Sequence, residues 1–349
     1  MRTIALLVVF GSGLFGTVAA QDAGAQSTAM STRHTTPFTA AVNASLGRGV
    51  NMGNCLEAPS DGAWGVMLTE RWFEVAKELG FDSIRLPVRW SSRQLAEAPY
   101  TIEPAFFERV DQVIAFSLDR GMPIIVNAHH YDGIFDDPAA HEARLISAWR
   151  QVAERYKDMP RDMVVFELLN EPHNNLTADL WNEMYPKLLA AVRETNPDRP
   201  VMIGPANWNA YDALSELEMP DDPNIIVTFH YYLPFRFTHQ GAGWIDADAQ
   251  RWLGTTWSGT PDELAAMRAH FDEVAAFAET HDVPINVGEF GAFSTADMDS
   301  RAAWTAAVRT AALDRGFSFH YWELGAGFGV WDPEADAVRE PVRAALLDE

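Results

Sequence analysis

Two short segments of the 349-residue chain carry side chains suited to proton transfer and nucleophilic attack. The first is Leu169-Asn170-Glu171-Pro172. Val164–Asn170 reads as an apolar strand, Glu171 comes at its end, and Pro172 stops the ladder because it has no backbone N–H. The second is Gly288-Glu289-Phe290-Gly291, which closes another apolar run and whose glycines would let the backbone approach a ligand closely. Burying a carboxylate is costly unless it is paired or used. Two carboxyls on separate strands suit a reaction in which one gives up a proton while the other, ionised, attacks. That division requires surroundings that push their pKa values apart. Polar or aromatic residues mark the ends of the remaining apolar runs too: Asn51 and Asn54, Arg85, His129 and His130, Asn207 and Trp208, His230 and Tyr232, and Trp322 with Glu323.

Something must bring these residues to one place. The strand-like runs are Arg48–Gly53, Ser83–Val88, Pro123–His129, Val164–Asn170, Val201–Ala206, Ile225–Tyr232, Pro284–Phe290 and Ser318–Leu324. Helical patterns follow them at Thr69–Leu79, Pro104–Arg120, Glu142–Lys157, Thr177–Thr195, Tyr211–Leu217 (weak), Thr260–Thr280, Ser300–Arg315 and Glu340–Leu347. Eight strand–helix repeats predict a (β/α)8 TIM barrel of α/β class, with one catalytic domain over residues 37–349 and its site at the strands' C-terminal ends. A doubly wound open sheet would want a glycine-rich phosphate turn after the first strand. Gly49-Val50-Asn51-Met52-Gly53-Asn54 does not supply one.

The composition narrows the partners. With 26 Lys plus Arg against 49 Asp plus Glu, the formal charge is -23, so nucleic acid and anionic membrane surfaces are poor partners. A single Cys, Cys55, excludes an internal disulfide framework and a Cys-based zinc site. The 12 Trp suggest flat platforms for sugar rings, although Trp149 and Trp181 fall in helical patterns and read as packing. Trp252 and Trp257, in the long Gly254-containing insertion, fit packing or binding equally. Arg2, the apolar stretch Ile4 to Phe15 and Val18-Ala19-Ala20 read as a secretory signal peptide over residues 1–20, cleaved after Ala20. Residues 21–36 read as a flexible lead-in. A secreted monomer, extracellular or periplasmic and free of the membrane after cleavage, is the expectation.

Seven segments, in order, resemble glycoside hydrolase family 5, the cellulase family A of retaining (β/α)8 glycosidases: Arg48-Gly49-Val50-Asn51-Met52-Gly53-Asn54, Ile84-Arg85-Leu86-Pro87-Val88, Asn127-Ala128-His129-His130, Leu169-Asn170-Glu171-Pro172, His230-Tyr231-Tyr232, Gly288-Glu289-Phe290-Gly291 and Tyr321-Trp322-Glu323. The likeness covers nearly all of residues 45–349. The stretch from Pro234 through His239 to Trp244 resembles a bacterial endoglucanase branch that includes mannan-cutting members. The resemblance implies Glu171 as general acid/base and Glu289 as nucleophile. Arg85, His129, Asn170, His230 and Tyr232 would support them. Trp322 would be the platform under the sugar at the cut, and Asn54, Glu57, His130, Trp208, His239 and Trp244 would line flanking subsites. It implies a retaining endo-β-1,4-glucanase acting on a β-linked polysaccharide or oligosaccharide such as cellulose or mixed-linkage glucan. An endo-β-1,4-mannanase or a dual enzyme is the alternative, and a non-catalytic glycan-binding barrel the remote one.

Two other acids, Glu167 and Glu323, read as structural. Glu167 shares a strand face with Glu171 but lies deeper, and Glu323 points away from Trp322. Adjacent strand residues face opposite ways, so His129-His130 does not suggest a metal, and Asp136-Asp137 and Asp221-Asp222 lack a spaced oxygen-ligand loop. No metal and no cofactor is expected.

Overall fold

Residues 35–245 and 247–348 are described by a computed structural model. The expected signal peptide and most of the lead-in lie outside the described residues. Strands β1 (Arg48–Asn51), β2 (Ser83–Leu86), β3 (Ile124–Asn127), β4 (Val164–Glu167), β5 (Val201–Ile203), β6 (Ile225–His230), β7 (Ile285–Glu289) and β8 (Ser318–Tyr321) form a closed barrel in chain order. All neighbours are parallel, and β1 pairs with β8 through Arg48↔Phe319, Gly49↔His320 and Val50↔Tyr321. The (β/α)8 expectation is therefore met.

The strands stop earlier than their apolar runs do. Hydrophobicity continues past the last ladder pair because the loops dive over a buried barrel mouth, but the backbone there leaves the extended region. Asn54, His130 and Glu171 take φ of 65°, 49° and 49°. Glu171 thus sits four residues beyond β4, in a turn rather than at a strand end. His129, Asn170, Tyr232 and Trp322 also lie past their strands, while Arg85, His230 and Glu289 are within β2, β6 and β7.

Helices pack outside the barrel at Glu70–Leu79, Pro104–Leu118, Pro138–Tyr156, Ala178–Arg193, Pro261–His281, Met298–Leu313 and Glu340–Leu347. The third starts four residues before the expected Glu142, because Asp137 accepts a hydrogen bond from Ala140 N–H and Pro138 suits the first turn. After β5 the weak pattern forms only a 3₁₀ segment, Tyr211–Glu216. Trp149 and Trp181 are packing residues as expected. Their indole N–H groups donate to the carbonyls of Leu168 and Gly204 at 2.8 Å, tying the loops after β4 and β5 to the helices behind them. Trp257 is buried and Trp252 half-buried. No helix among the described residues is long and apolar enough to cross a membrane.

One helix escaped the sequence reading. Pro37–Leu46 is capped by Thr36, whose hydroxyl accepts from Thr39 N–H at 3.1 Å. Its Val42 and Leu46 pack on Ile125, Val165, Met202 and Ile226, a small apolar cluster separate from the main one. These residues alternate along their strands with others of the larger cluster, so they point into the barrel and the helix closes its floor. With the floor plugged by hydrocarbon, polar residues can gather only toward the mouth and along one inner wall.

Candidate active site

The site is built around the Arg85 guanidinium, which is fully buried on β2. Its Nε and Nη2 donate to the two oxygens of Glu167 at 2.7 Å each. Nη1 donates to Glu289 Oε1 at 2.6 Å and to Asn51 Oδ1 at 2.9 Å, and Nη2 also donates to Asn170 Oδ1 at 2.8 Å. All five N–H donors are used, which only a planar fork can do. Glu167 is thus structural, as read from its depth. It balances Arg85 and leaves the guanidinium's other edge to Glu289 and Asn170.

Glu289 receives a second hydrogen bond, from the Tyr232 hydroxyl to Oε2 at 3.0 Å. Burial raises the Tyr232 phenol well above its usual range, so it stays a donor. Glu171 lies opposite, with Oε1 2.7 Å from His230 Nδ1, and the same nitrogen is 3.6 Å from Glu289 Oε2. Carboxylate oxygens of Glu171 and Glu289 and a ring nitrogen of His230 all lie within 4.8 Å of one another. By spacing these three could hold a metal ion. Each is instead engaged by protein, and Arg85 already supplies the positive charge beside Glu289.

The two carboxyls are not equivalent. Burial pushes Glu171 up to about 7 against the opposing pull of Arg85 and His173, although 24% of its side chain meets solvent. Burial also pushes Glu289 upward, opposed by His230 and Arg85 and assisted by the charge of Glu171. Two acids this close titrate as a pair. Only Glu289 touches the guanidinium, so the pair's first proton goes to Glu171. Once there, it removes the like charge that was raising Glu289. Burial lowers His230 to about 4 and His129 well below its usual value, so both are neutral imidazoles at neutral pH.

Around this pair, Asn170 gives its oxygen to Arg85 and so turns its Nδ2 donors toward Glu171 and the cleft. Asn127 Nδ2 donates to His129 Nδ1 at 3.1 Å, which leaves Nε2–H as the His129 donor. Trp322 stacks parallel to His129, ring centroids 5.8 Å apart. The glycines flanking Glu289 serve protein packing rather than ligand approach. A Cβ on Gly288 would meet Thr228 Oγ1 at 2.5 Å, and one on Gly291 would meet the Trp322 carbonyl at 2.2 Å.

The flanking residues divide. Trp208 and Trp244 are exposed, at 49% and 61%. Trp208 stacks on His173 at 4.8 Å, and Trp244 stands edge-on to Phe293 at 4.9 Å. His130 and Asn54 are half-buried, His130 edge-on to Trp64 and His129. Glu57 is fully buried, and its oxygens accept the backbone N–H groups of Asn54 and Cys55, so it shapes the loop after β1. His239 is mostly buried and packs against Phe235, Tyr232, Phe328 and Trp244. Glu323 accepts N–H groups from Gly325, Ala326 and Phe328, as its structural reading implied. The sequence reading missed Trp64, 44% exposed and edge-on to His130, and His173, which stacks between Phe135 and Trp208. Trp64 lies between the left-handed glycines Gly62 and Gly65, a turn-tip signal that was legible.

Comparison with known proteins agrees with this geometry. The family model for cellulase (glycosyl hydrolase family 5) matches residues 42–327. Endoglucanase H of Acetivibrio thermocellus is 39% identical over 287 residues, 82% of this chain. The aligned part is only 30% of that protein's length, and 35% of cellulase/esterase CelE from the same organism, which is 29% identical over 79% of this chain. Among solved structures, a hyperthermophilic endo-β-1,4-glucanase in complex with substrate shares 44% identity with a TM-score of 0.87, covering 89% of this chain and 99% of its own. Thermotoga maritima Cel5A in complex with mannotriose shares 42% identity at a TM-score of 0.87, covering 89% of this chain and 100% of its own. With the barrel, the paired carboxyls and a family match over most of its length, the chain belongs to glycosyl hydrolase family 5, the cellulases.

Proposed function

We propose that this chain is a retaining endo-β-1,4-glucanase in which Glu171 is the acid/base and Glu289 the nucleophile. The observation that carries the reading is the close pair of carboxyls with unlike partners, Arg85 and Tyr232 on one and His230 on the other. One oxygen of each carboxyl lies within 4.8 Å of the other, which supports the short carboxyl separation of retaining enzymes, roughly 5–5.5 Å, over the roughly 6.5–9.5 Å of inverting ones. In the first step Glu289 forms a bond to the anomeric carbon while Glu171 passes its proton to the departing glycosidic oxygen. In the second, Glu171 takes a proton from water, the water oxygen bonds to the anomeric carbon, and Glu289 leaves as carboxylate. Asn170 would donate to the sugar 2-hydroxyl, and Trp322 would lie under the ring. Trp64, Trp208 and Trp244 would extend the platform along the chain, consistent with cutting inside a polymer.

The free enzyme must hold a proton on Glu171, so kcat/KM should fall as pH rises through about 7. A pH profile on a soluble β-glucan checks this, and a rate still rising at pH 9 would contradict it.

Glucan is the leading substrate because the similar proteins carry glucanase names. A mannan activity beside it is the second reading, since Thermotoga maritima Cel5A was captured with mannotriose as well as with cellobiose. Initial rates on carboxymethylcellulose, barley glucan, glucomannan and galactomannan separate the two. The glucans should be cut fastest; galactomannan cut faster than either would overturn the choice.

A further inference from the structure

Three consecutive non-glycine residues after β5, Asn207, Trp208 and Asn209, take left-handed backbone with φ of 58°, 58° and 53°. Asn tolerates this region, whereas Trp does not favour it, and runs of such residues mark places where the surroundings impose a conformation for a purpose. Trp208 N–H donates to the carbonyl of Pro172 at 3.1 Å, so the turn is tied to the segment that carries Glu171. The chain then rejoins β6 at a parallel bridge, Ala210↔His230. This excursion sends Trp208 outward onto His173 and Asn209 inward, where it is fully buried.

Buried Asn209 meets one partner of interest. With its amide nitrogen toward the ring, it lies 3.4 Å from His230 Nε2. The sequence makes room for this pair. A Cβ on Gly204 would be 2.6 Å from Asn209 Oδ1, and one on Gly288 would be 3.0 Å from His230 Nε2. The opposite ring nitrogen, Nδ1, is the one that faces Glu171 at 2.7 Å. Besides Glu171, the charged groups around His230 are Glu289, Arg85 and Glu167, and His129 is the nearby titratable neighbour.

We infer that Asn209 is a positioning residue for the acid/base, acting through His230. A neutral imidazole carries one proton, and the partner of one nitrogen decides which nitrogen holds it. Asn209 donating to Nε2 leaves the proton on Nδ1, so His230 donates to Glu171 and fixes the carboxyl's orientation. The inference rests on the acid/base role proposed for Glu171 and goes beyond it by naming what holds that group in register. It also makes the 207–209 turn a mechanical link between the exposed Trp208 face and the proton donor.

The test uses leaving groups of different need. kcat/KM reports steps up to formation of the glycosyl-enzyme. Cellotetraose needs its leaving oxygen protonated in that step, whereas 2,4-dinitrophenyl β-cellobioside does not. Asn209→Gly removes the side chain at a φ that glycine adopts freely. Asn209→Asp keeps the shape and the tolerance for left-handed backbone but replaces the amide donor with an acceptor. Both should lose about tenfold or more in kcat/KM on cellotetraose, the scale of a misplaced catalytic group, and less than about threefold on the dinitrophenyl substrate. Equal losses on both substrates, or no loss on either, would overturn the inference, because a merely structural residue affects both alike. Glu171→Ala belongs in the same series. If it shows the selective loss and the Asn209 variants do not, only the role of Asn209 falls. If Glu171→Ala loses equally on both substrates, the acid/base reading falls and this inference with it.

Discussion

Glu289→Ala should lower kcat on a soluble β-glucan by about 10⁵-fold, the scale on which removal of a covalent nucleophile is felt. The fold should not suffer. Arg85 would keep both bonds to Glu167, the bond to Asn51 and the bond to Asn170. The buried charge would fall to one guanidinium against one carboxylate, and the like-charge neighbour of Glu171 would be gone. Thermal unfolding should therefore occur at the same temperature or higher. Functional residues held at a cost to the fold behave this way. Sugar binding should persist, because Trp322, His129 and the outer tryptophans are untouched. Measured kcat together with an unfolding scan checks both halves, and near-normal turnover would remove Glu289 from the nucleophile's role.

Arg85→Met should do the reverse and damage both stability and rate. Methionine fills much of the space but leaves Glu167 and Glu289 buried without a cation. Breaking a buried ion pair from one side typically costs about 3–5 kcal/mol. Relief by protonation of the stranded acids would remove the ionised nucleophile, so kcat should fall by at least about 10³-fold at neutral pH by the same pKa logic. Arg85→Lys keeps the charge but cannot serve five acceptors from one plane, so it should recover only part of each loss. Denaturant melts and steady-state rates on the pair of variants check this. Wild-type stability in Arg85→Met would mean that the Glu167–Arg85–Glu289 chain is not an ionic unit.

These two outcomes depend on how residues distant in sequence converge. The barrel was legible because eight apolar runs alternate with helical patterns, and the mouth because chemistry-bearing residues gather where those runs end. Glu171, Glu289, Arg85, Tyr232 and His230 were all found this way, and they do meet. What the pattern did not show was where each ladder stops. Apolar residues continue past the last strand pair because the loops are themselves buried, so Glu171 looked like a strand residue but occupies a left-handed turn. The flanking residues were harder to read for a related reason. Glu57 and His239 sit in loops at the correct end of the barrel, and position alone does not distinguish a side chain that faces the cleft from one that folds back to hold its own loop. The floor helix Pro37–Leu46 was hidden because half of its buried face is polar, Thr39 and Asn43 beside Val42 and Leu46, so hydrophobic periodicity does not mark it. Asn209 was out of reach, since nothing in the local sequence says that three residues turn left-handed or that the third lies under a histidine.

Retention at the anomeric carbon is expected if Glu289 and Glu171, with an oxygen of each within 4.8 Å of the other, carry out two successive displacements there. Proton NMR of the first-formed reducing end, recorded during hydrolysis of a cello-oligosaccharide before mutarotation, tests it most directly. The β-anomer is expected, because two successive inversions restore the starting configuration. Initial release of the α-anomer would mean a single displacement by water and would contradict the assignment of Glu289 as nucleophile.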